Sequence, residues 1–175
     1  MLSTAVKMIP KWQNPRGTFT LLLWSLLLIT FPLMIWKALC VFTGSSHPIM
    51  VVISESMAPA FTRGDLIFLW NRQSWVHAGE IPVCWFPGKP LPMVHRAIKS
   101  VWLDGKEQFT LTKGDNNDGD DVPLYPPGQL MVGRDEVVGV VKGYLPYLGW
   151  LSIGLQENPL VTGSVIGGLL LLAAA

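Results

Sequence analysis

From Gly17 to Trp36 the chain reads GTFTLLLWSLLLITFPLMIW, 20 residues without a charged side chain. A helix needs about 20 apolar residues to cross the hydrocarbon layer of a bilayer. Nothing else in the 175 residues could surround such a helix as the core of a soluble protein. A transmembrane helix is therefore expected over 17–42. Lys7, Lys11 and Arg16 precede it, and Lys37 is the only basic residue after it before Arg63. Excess Lys and Arg marks the cytosolic side. Residues 1–16 are thus expected in the cytosol and the bulk of the chain across the membrane. Trp12, Trp24 and Trp36 are placed to anchor at interfaces, and Pro32 is a kink that lipid tolerates. The rival reading is a cleaved signal peptide, with Ala38-Leu39-Cys40 as a faint small-x-small site. The apolar core of such a peptide is usually about 7–15 residues, shorter than this stretch, so a retained signal anchor is the expectation.

The composition agrees with a membrane segment plus one modest domain. Charged residues make up 14% of the chain, against about 25% in ordinary soluble domains. The net charge is +1, and no basic stripe is present that would track a phosphate backbone, so no nucleic acid partner is expected. Cys40 and Cys84 lie far apart with no CxxC, which gives neither a zinc site nor a disulfide framework. Both read as buried small hydrophobes, and no metal or cofactor is expected. The final 16 residues, LVTGSVIGGLLLLAAA, form a second apolar segment. It is short for a full span, and Gly163 and Gly167 would allow close contact with another helix. A short C-terminal apolar helix is expected over 158–175.

Between these segments, 43–157 reads as a mainly β domain of coiled antiparallel sheets. VVISES, DLIFLW, IPVCWF, MVHRAIKSVW, QFTLT and EVVGVVKGY are short runs rich in β-branched and aromatic residues. RGD, PGKP, LDGK, KGDNNDGDD and PPGQ punctuate them as turns. Asp104-Gly105 within WLDGKEQF suits a tight hairpin turn. Trp70, Trp75, Trp85 and Trp102 are expected mostly in the core, with an exposed subset near Trp75 available to lipid or a partner.

Candidate chemistry starts from histidine, because only His47, His77 and His95 are present. His47 and His77 lie in loops. His95 starts a strong strand, where it and Arg96 point to opposite faces. A neutral imidazole can take a proton at working pH. KGDNNDGDD supplies Asp115, Asp118, Asp120 and Asp121. It lacks the spacing and terminal Glu of an EF-hand, so a solvated turn or a carboxylate orienting the histidine are the readings to weigh. Ser54 and Ser56 follow an apolar strand in VISESMAPAF. A serine hydroxyl becomes a useful nucleophile beside a base, and a second hydroxyl with a backbone N–H can receive an oxyanion.

SESMAPAFTRGDLIFL resembles the serine motif of the type I signal peptidases, S-x-S-M-x-P followed by R-G-D, and KGDNNDGDD resembles their K-G-D-N-x motif. MVHR has His95 where bacterial members carry a lysine base, which is the mark of the endoplasmic reticulum branch. The likeness runs from about residue 17 to about 155. It implies Ser56 as nucleophile, His95 as general base, and Asp121 as the acidic member, with Asp115 as the alternative acid. It implies Ser54 and the Ser56 amide as the oxyanion hole, and Lys113, Arg63 and Asp65 as structural. Glu55 departs from the family, where small residues are frequent between the serines.

The activity implied is a serine endopeptidase that removes signal peptides from secretory and membrane precursors. The implied setting is the endoplasmic reticulum membrane, single-pass, with the β domain lumenal and other membrane subunits as partners. The peptide is expected to add as a strand beside the segment leading to Ser54, over small pockets guessed to involve Ile53, Val83 or Ile98. The alternative from another class is an inactive membrane-anchored β scaffold that binds signal peptides or partner subunits.

Overall fold

A computed structural model describes residues 15–160, 162–164 and 167–168. The expected cytosolic N-terminus, apart from its last two residues, and much of the C-terminal apolar segment lie outside the described residues. The chain divides into two compact units after Leu39.

Most of α1, Pro15–Thr43, a 29-residue helix with Pro32 inside it, belongs to the first unit, and its last four residues to the second. It extends slightly beyond the expected 17–42 at both ends. At 1.5 Å per residue it is about 43 Å long, and it is long and apolar enough to cross a membrane. Its leucines and aromatics point outward, with Leu28 78% exposed. The polar residues within the run need no water. Thr20 Oγ1 donates to the Arg16 carbonyl at 2.8 Å, Ser25 Oγ to Leu21 at 2.9 Å and Thr30 Oγ1 to Leu26 at 2.9 Å. Each hydroxyl thus shares a carbonyl one turn back, as an apolar surround demands.

Among the described residues the second unit holds eight strands: β1 (Ile49–Val51), β2 (Leu66–Trp70), β3 (Pro82–Cys84), β4 (Met93–Val94), β5 (Arg96–Leu103), β6 (Glu107–Lys113), β7 (Val132–Gly133) and β8 (Val137–Leu145). One sheet has the order β1-β2-β8-β3-β4 and the other β5-β6-β7. Every pairing is antiparallel. Bulges between Phe68 and Leu69, Val83 and Cys84, and Ala97 and Lys99 shift the register, and bulges increase twist, which curls the sheets. The hairpin turn falls where the sequence placed it: Asp104 (φ 51°) and Gly105 (φ 67°) are both left-handed.

Two apolar clusters fill the unit. Ile67 and Leu69 of β2 alternate inward and join Val52, Met57, Phe61 and Val83. Cys84, Phe86, Ala97, Tyr125, Val132 and Val140 form most of the other. The inward face of β6 is polar instead, since Gln108, Thr110 and Thr112 are all buried.

MVHRAIKSVW is not one strand. It breaks at His95, with β4 in the first sheet and β5 in the second. The RGD turn is structural, as expected. Asp65 is buried and accepts the amides of Thr62 at 2.9 Å and Tyr147 at 3.1 Å. Arg63 pairs with Glu157 and lies over the Trp150 ring. Gly64 has φ +93°, and a Cβ there would meet the Trp150 indole at 2.1 Å. This turn therefore fastens α2 (Trp150–Glu157), a short helix just before the segment expected to be helical.

Candidate active site

Ser56 stands on a compact turn immediately after β1. The Ala58 amide donates to the Glu55 carbonyl at 3.1 Å and the Phe61 amide to Met57 at 3.0 Å. Met57 and Phe61 are buried in the apolar cluster under the turn, so both flanks of the serine are anchored. The loop after β6 holds it from the other side. The Asn116 amide donates to the Ser56 carbonyl at 2.9 Å, and Asn116 Nδ2 to the Glu55 carbonyl at 3.2 Å. Gly114 is required in this loop by close approach, since a Cβ there would lie 2.7 Å from the Ser56 carbonyl oxygen and 2.6 Å from the Asn117 side chain.

His95 occupies the crossing point between the sheets and is 5% exposed. Its Nε2 lies 2.9 Å from Ser56 Oγ and its Nδ1 2.7 Å from Asp121 Oδ2. An ionised carboxylate only accepts. Nδ1 therefore carries the proton, Nε2 of the neutral ring is bare, and the Ser56 hydroxyl donates to it. Ser54 Oγ is 3.2 Å from Ser56 Oγ. With the Ser56 proton committed to His95, Ser54 is the donor in that contact. Residues from β1 and its turn, from the β4–β5 junction and from the segment after β6 thus meet in one line.

The acidic candidates separate cleanly. Arg96 grips Asp115 with two bonds of 2.8 and 2.6 Å. That guanidinium holds the Asp115 carboxyl below its ordinary range, and Asp115 raises Arg96 in return. Asp120 spends a carboxylate oxygen on the Val122 amide at 3.2 Å. Asp121 does not cap that turn; its side chain is turned inward, 0% exposed, onto His95.

The other candidates stay off the Ser56–His95–Asp121 line. Lys113 Nζ reaches only toward the Gly114 carbonyl, at 3.5 Å. His77 packs edge-on to Trp75, and His47 lies tilted against Trp85 at 5.0 Å, where both line the cleft beside the serines. Cys84 is buried in β3, and burial pushes its thiol far above the usual range, so it is no nucleophile at neutral pH. Among the described residues no three His, Cys, Asp or Glu side chains gather as metal ligands would.

A cleft of about 380 Å³ runs beside the serines, lined among others by Met50, Val52, Ile53, Trp85, Leu91 and Ile153. Of the guessed lining residues only Ile53 takes part. Val83 is fully buried behind the cleft, and Ile98 lies at the β5 bulge with its side chain exposed. Ile153, on α2, was not anticipated as lining, whereas bracing by the short KGDNN turn was weighed, and Gly114 and Asn116 supply it.

The chain is 43% identical over 170 residues to the signal peptidase complex catalytic subunit SEC11 of Ajellomyces capsulatus (strain NAm1 / WU24), covering 90% of this chain and 91% of that protein. It is 41% identical over 162 residues to the SEC11 subunit of Metarhizium robertsii, covering 91% and 94%. It belongs to the SEC11 family of signal peptidase complex catalytic subunits. A third relative, from Paracoccidioides brasiliensis (strain Pb03), is 43% identical over 180 residues, covering 90% and 91%. No family model matches the chain. As a SEC11 subunit the chain is a serine-type signal peptidase and one component of a complex, which sets aside the inactive scaffold.

Proposed function

We propose that this SEC11 subunit removes signal peptides from secretory and membrane precursors at the endoplasmic reticulum, through an acyl-enzyme on Ser56. The observation that carries the reading is the unbroken line Ser56–His95–Asp121, with contacts of 2.9 and 2.7 Å. His95 Nε2 takes the Ser56 proton as Oγ attacks the scissile carbonyl. The developing oxyanion receives the Ser56 N–H and the Ser54 hydroxyl, whose proton is held by nothing stronger than Ser56 Oγ. The C–N bond breaks, and the imidazolium passes its proton to the leaving amine. Water then loses a proton to His95 and attacks the ester. The ester C–O bond breaks, and the proton returns to Ser56 Oγ. Asp121 keeps Nδ1 protonated throughout and stabilises the imidazolium. Asp115, spent on Arg96, takes no part.

The substrate is an extended peptide laid along Ile53 and Ser54, its side chains in the cleft that Ile53, Val94 and Ile153 help to line. The proposed organisation is a cytosolic 1–16, a single membrane anchor over 17–42, a lumenal peptidase domain over 43–157 and a C-terminal apolar segment over 158–175. The basic residues ahead of the anchor support that orientation. Other membrane subunits, precursors and the bilayer are its partners.

Cleavage of a signal-peptide-bearing precursor by the complete complex in reconstituted membranes tests the assignment. Ser56→Ala and His95→Ala should abolish cleavage while the complex still assembles. Normal cleavage by Ser56→Ala would end the proposal.

A further inference from the structure

Asp121 is a buried carboxylate with an uneven set of partners. Both of its side-chain bonds converge on Oδ2, one from His95 and one from Thr112 Oγ1 at 2.6 Å, while Oδ1 has no protein partner among the described residues. Thr112 Oγ1 is also 2.9 Å from the Tyr125 hydroxyl oxygen, and the Thr112 amide donates to that same oxygen at 2.9 Å. All three residues are buried.

The donor inventory fixes the direction of every bond. A threonine hydroxyl has one proton. The carboxylate can only accept, so that proton goes to Asp121. The Tyr125 hydroxyl must then donate to Thr112 Oγ1 while its oxygen accepts the Thr112 amide. The result is one polarised chain, Tyr125 O–H to Thr112 O–H to Asp121, ending on the oxygen that faces His95. In a water-poor interior each bond of such a chain strengthens the next.

We infer that Thr112 and Tyr125 are positioning residues of the peptidase site, which lock the Asp121 carboxylate onto His95 Nδ1 and share its charge. This rests on the catalytic reading of Ser56, His95 and Asp121. No other protein donor reaches the Asp121 side chain among the described residues. A carboxylate that loses Thr112 concentrates its charge on His95 and is free to rotate. The first effect makes the imidazole more basic, and the second misdirects it.

Few neighbouring charges compete. Cys84 on β3 and Tyr125 are both within electrostatic reach of Asp121, and burial raises both, so both stay neutral at neutral pH. Asp115, on the loop after β6, is within electrostatic reach of His95 with its charge paired to Arg96 of β5. Glu136 and Arg134, ahead of β8, act on Cys84.

The test uses the assembled complex and the pH profile of precursor cleavage, with Ser56→Ala as reference. Thr112→Val removes the hydroxyl and nearly keeps the shape. It should lower kcat about tenfold, the worth of one hydrogen bond to a charged group. The acid limb of its profile should move up by about half a pH unit, with KM little changed. Thr112→Ser should restore both. Tyr125→Phe should move both in the same direction by less, and decides the matter if Thr112→Val does not assemble. A dead Ser56→Ala beside a Thr112→Val or Tyr125→Phe with wild-type kcat and profile would overturn the positioning role alone. An active Ser56→Ala would instead overturn the catalytic reading on which it rests.

Discussion

At the scale of residues, two aspartates six positions apart are predicted to behave differently. Asp121→Asn keeps the shape but can no longer fix the His95 tautomer. It should lose activity by about 10⁴-fold, the magnitude expected for the acidic member of a triad, with assembly intact by gel filtration of the complex. Asp115→Asn should cleave precursor within a few-fold of wild type. Its cost is in stability, about 0.5–1 kcal/mol for a partly exposed bidentate pair. The sign of the pH dependence follows from the lowered Asp115 carboxyl. Its contribution is fully present above the ordinary carboxylate pKa and is lost as pH falls through the lowered value. Thermal unfolding of wild type and Asp115→Asn should therefore differ at neutral pH and converge in acid. A gap that persists in acid would contradict the pairing.

At the scale of elements, the serine turn is held by two neighbours, the apolar cluster below it and the KGDNN loop beside it. Gly114→Ala places a methyl against the Ser56 carbonyl, at a distance real Cβ atoms do not show. It should slow reaction of Ser56 with a serine-reactive probe by at least about tenfold, with circular dichroism unchanged. Ile67→Ala, at a fully buried position of β2, should cost about 2–5 kcal/mol in chemical denaturation. These supports were only partly legible in the sequence. Strand runs, the Asp104-Gly105 hairpin and the apolar helix follow from period and turn chemistry, which are local. The break at His95 was not legible, because β-branched residues continue on both sides and nothing local marks a change of sheet. The polar face of β6 was visible in QFTLT as alternating Gln and Thr. Its meaning required knowing that Asp121 folds back onto it. Val83 was offered as cleft lining on its apolar character alone, which does not separate core from cleft wall.

At the scale of the whole molecule, a peptidase domain with a buried His–Asp pair and a half-buried serine is joined in one chain to a helix fit to cross a membrane. Ser56, His95 and Asp121 stood out as candidates because three motifs fall in order along the chain, and the fold brings their side chains together. The measurement that bears most directly on the central claim is covalent labelling of the assembled complex by a fluorophosphonate, with the adduct mapped by mass spectrometry. The account predicts an adduct on Ser56, loss of precursor cleavage in proportion to labelling, and far slower labelling in His95→Ala. Full labelling of Ser56 with undiminished cleavage, or cleavage at the wild-type rate by Ser56→Ala, would contradict it.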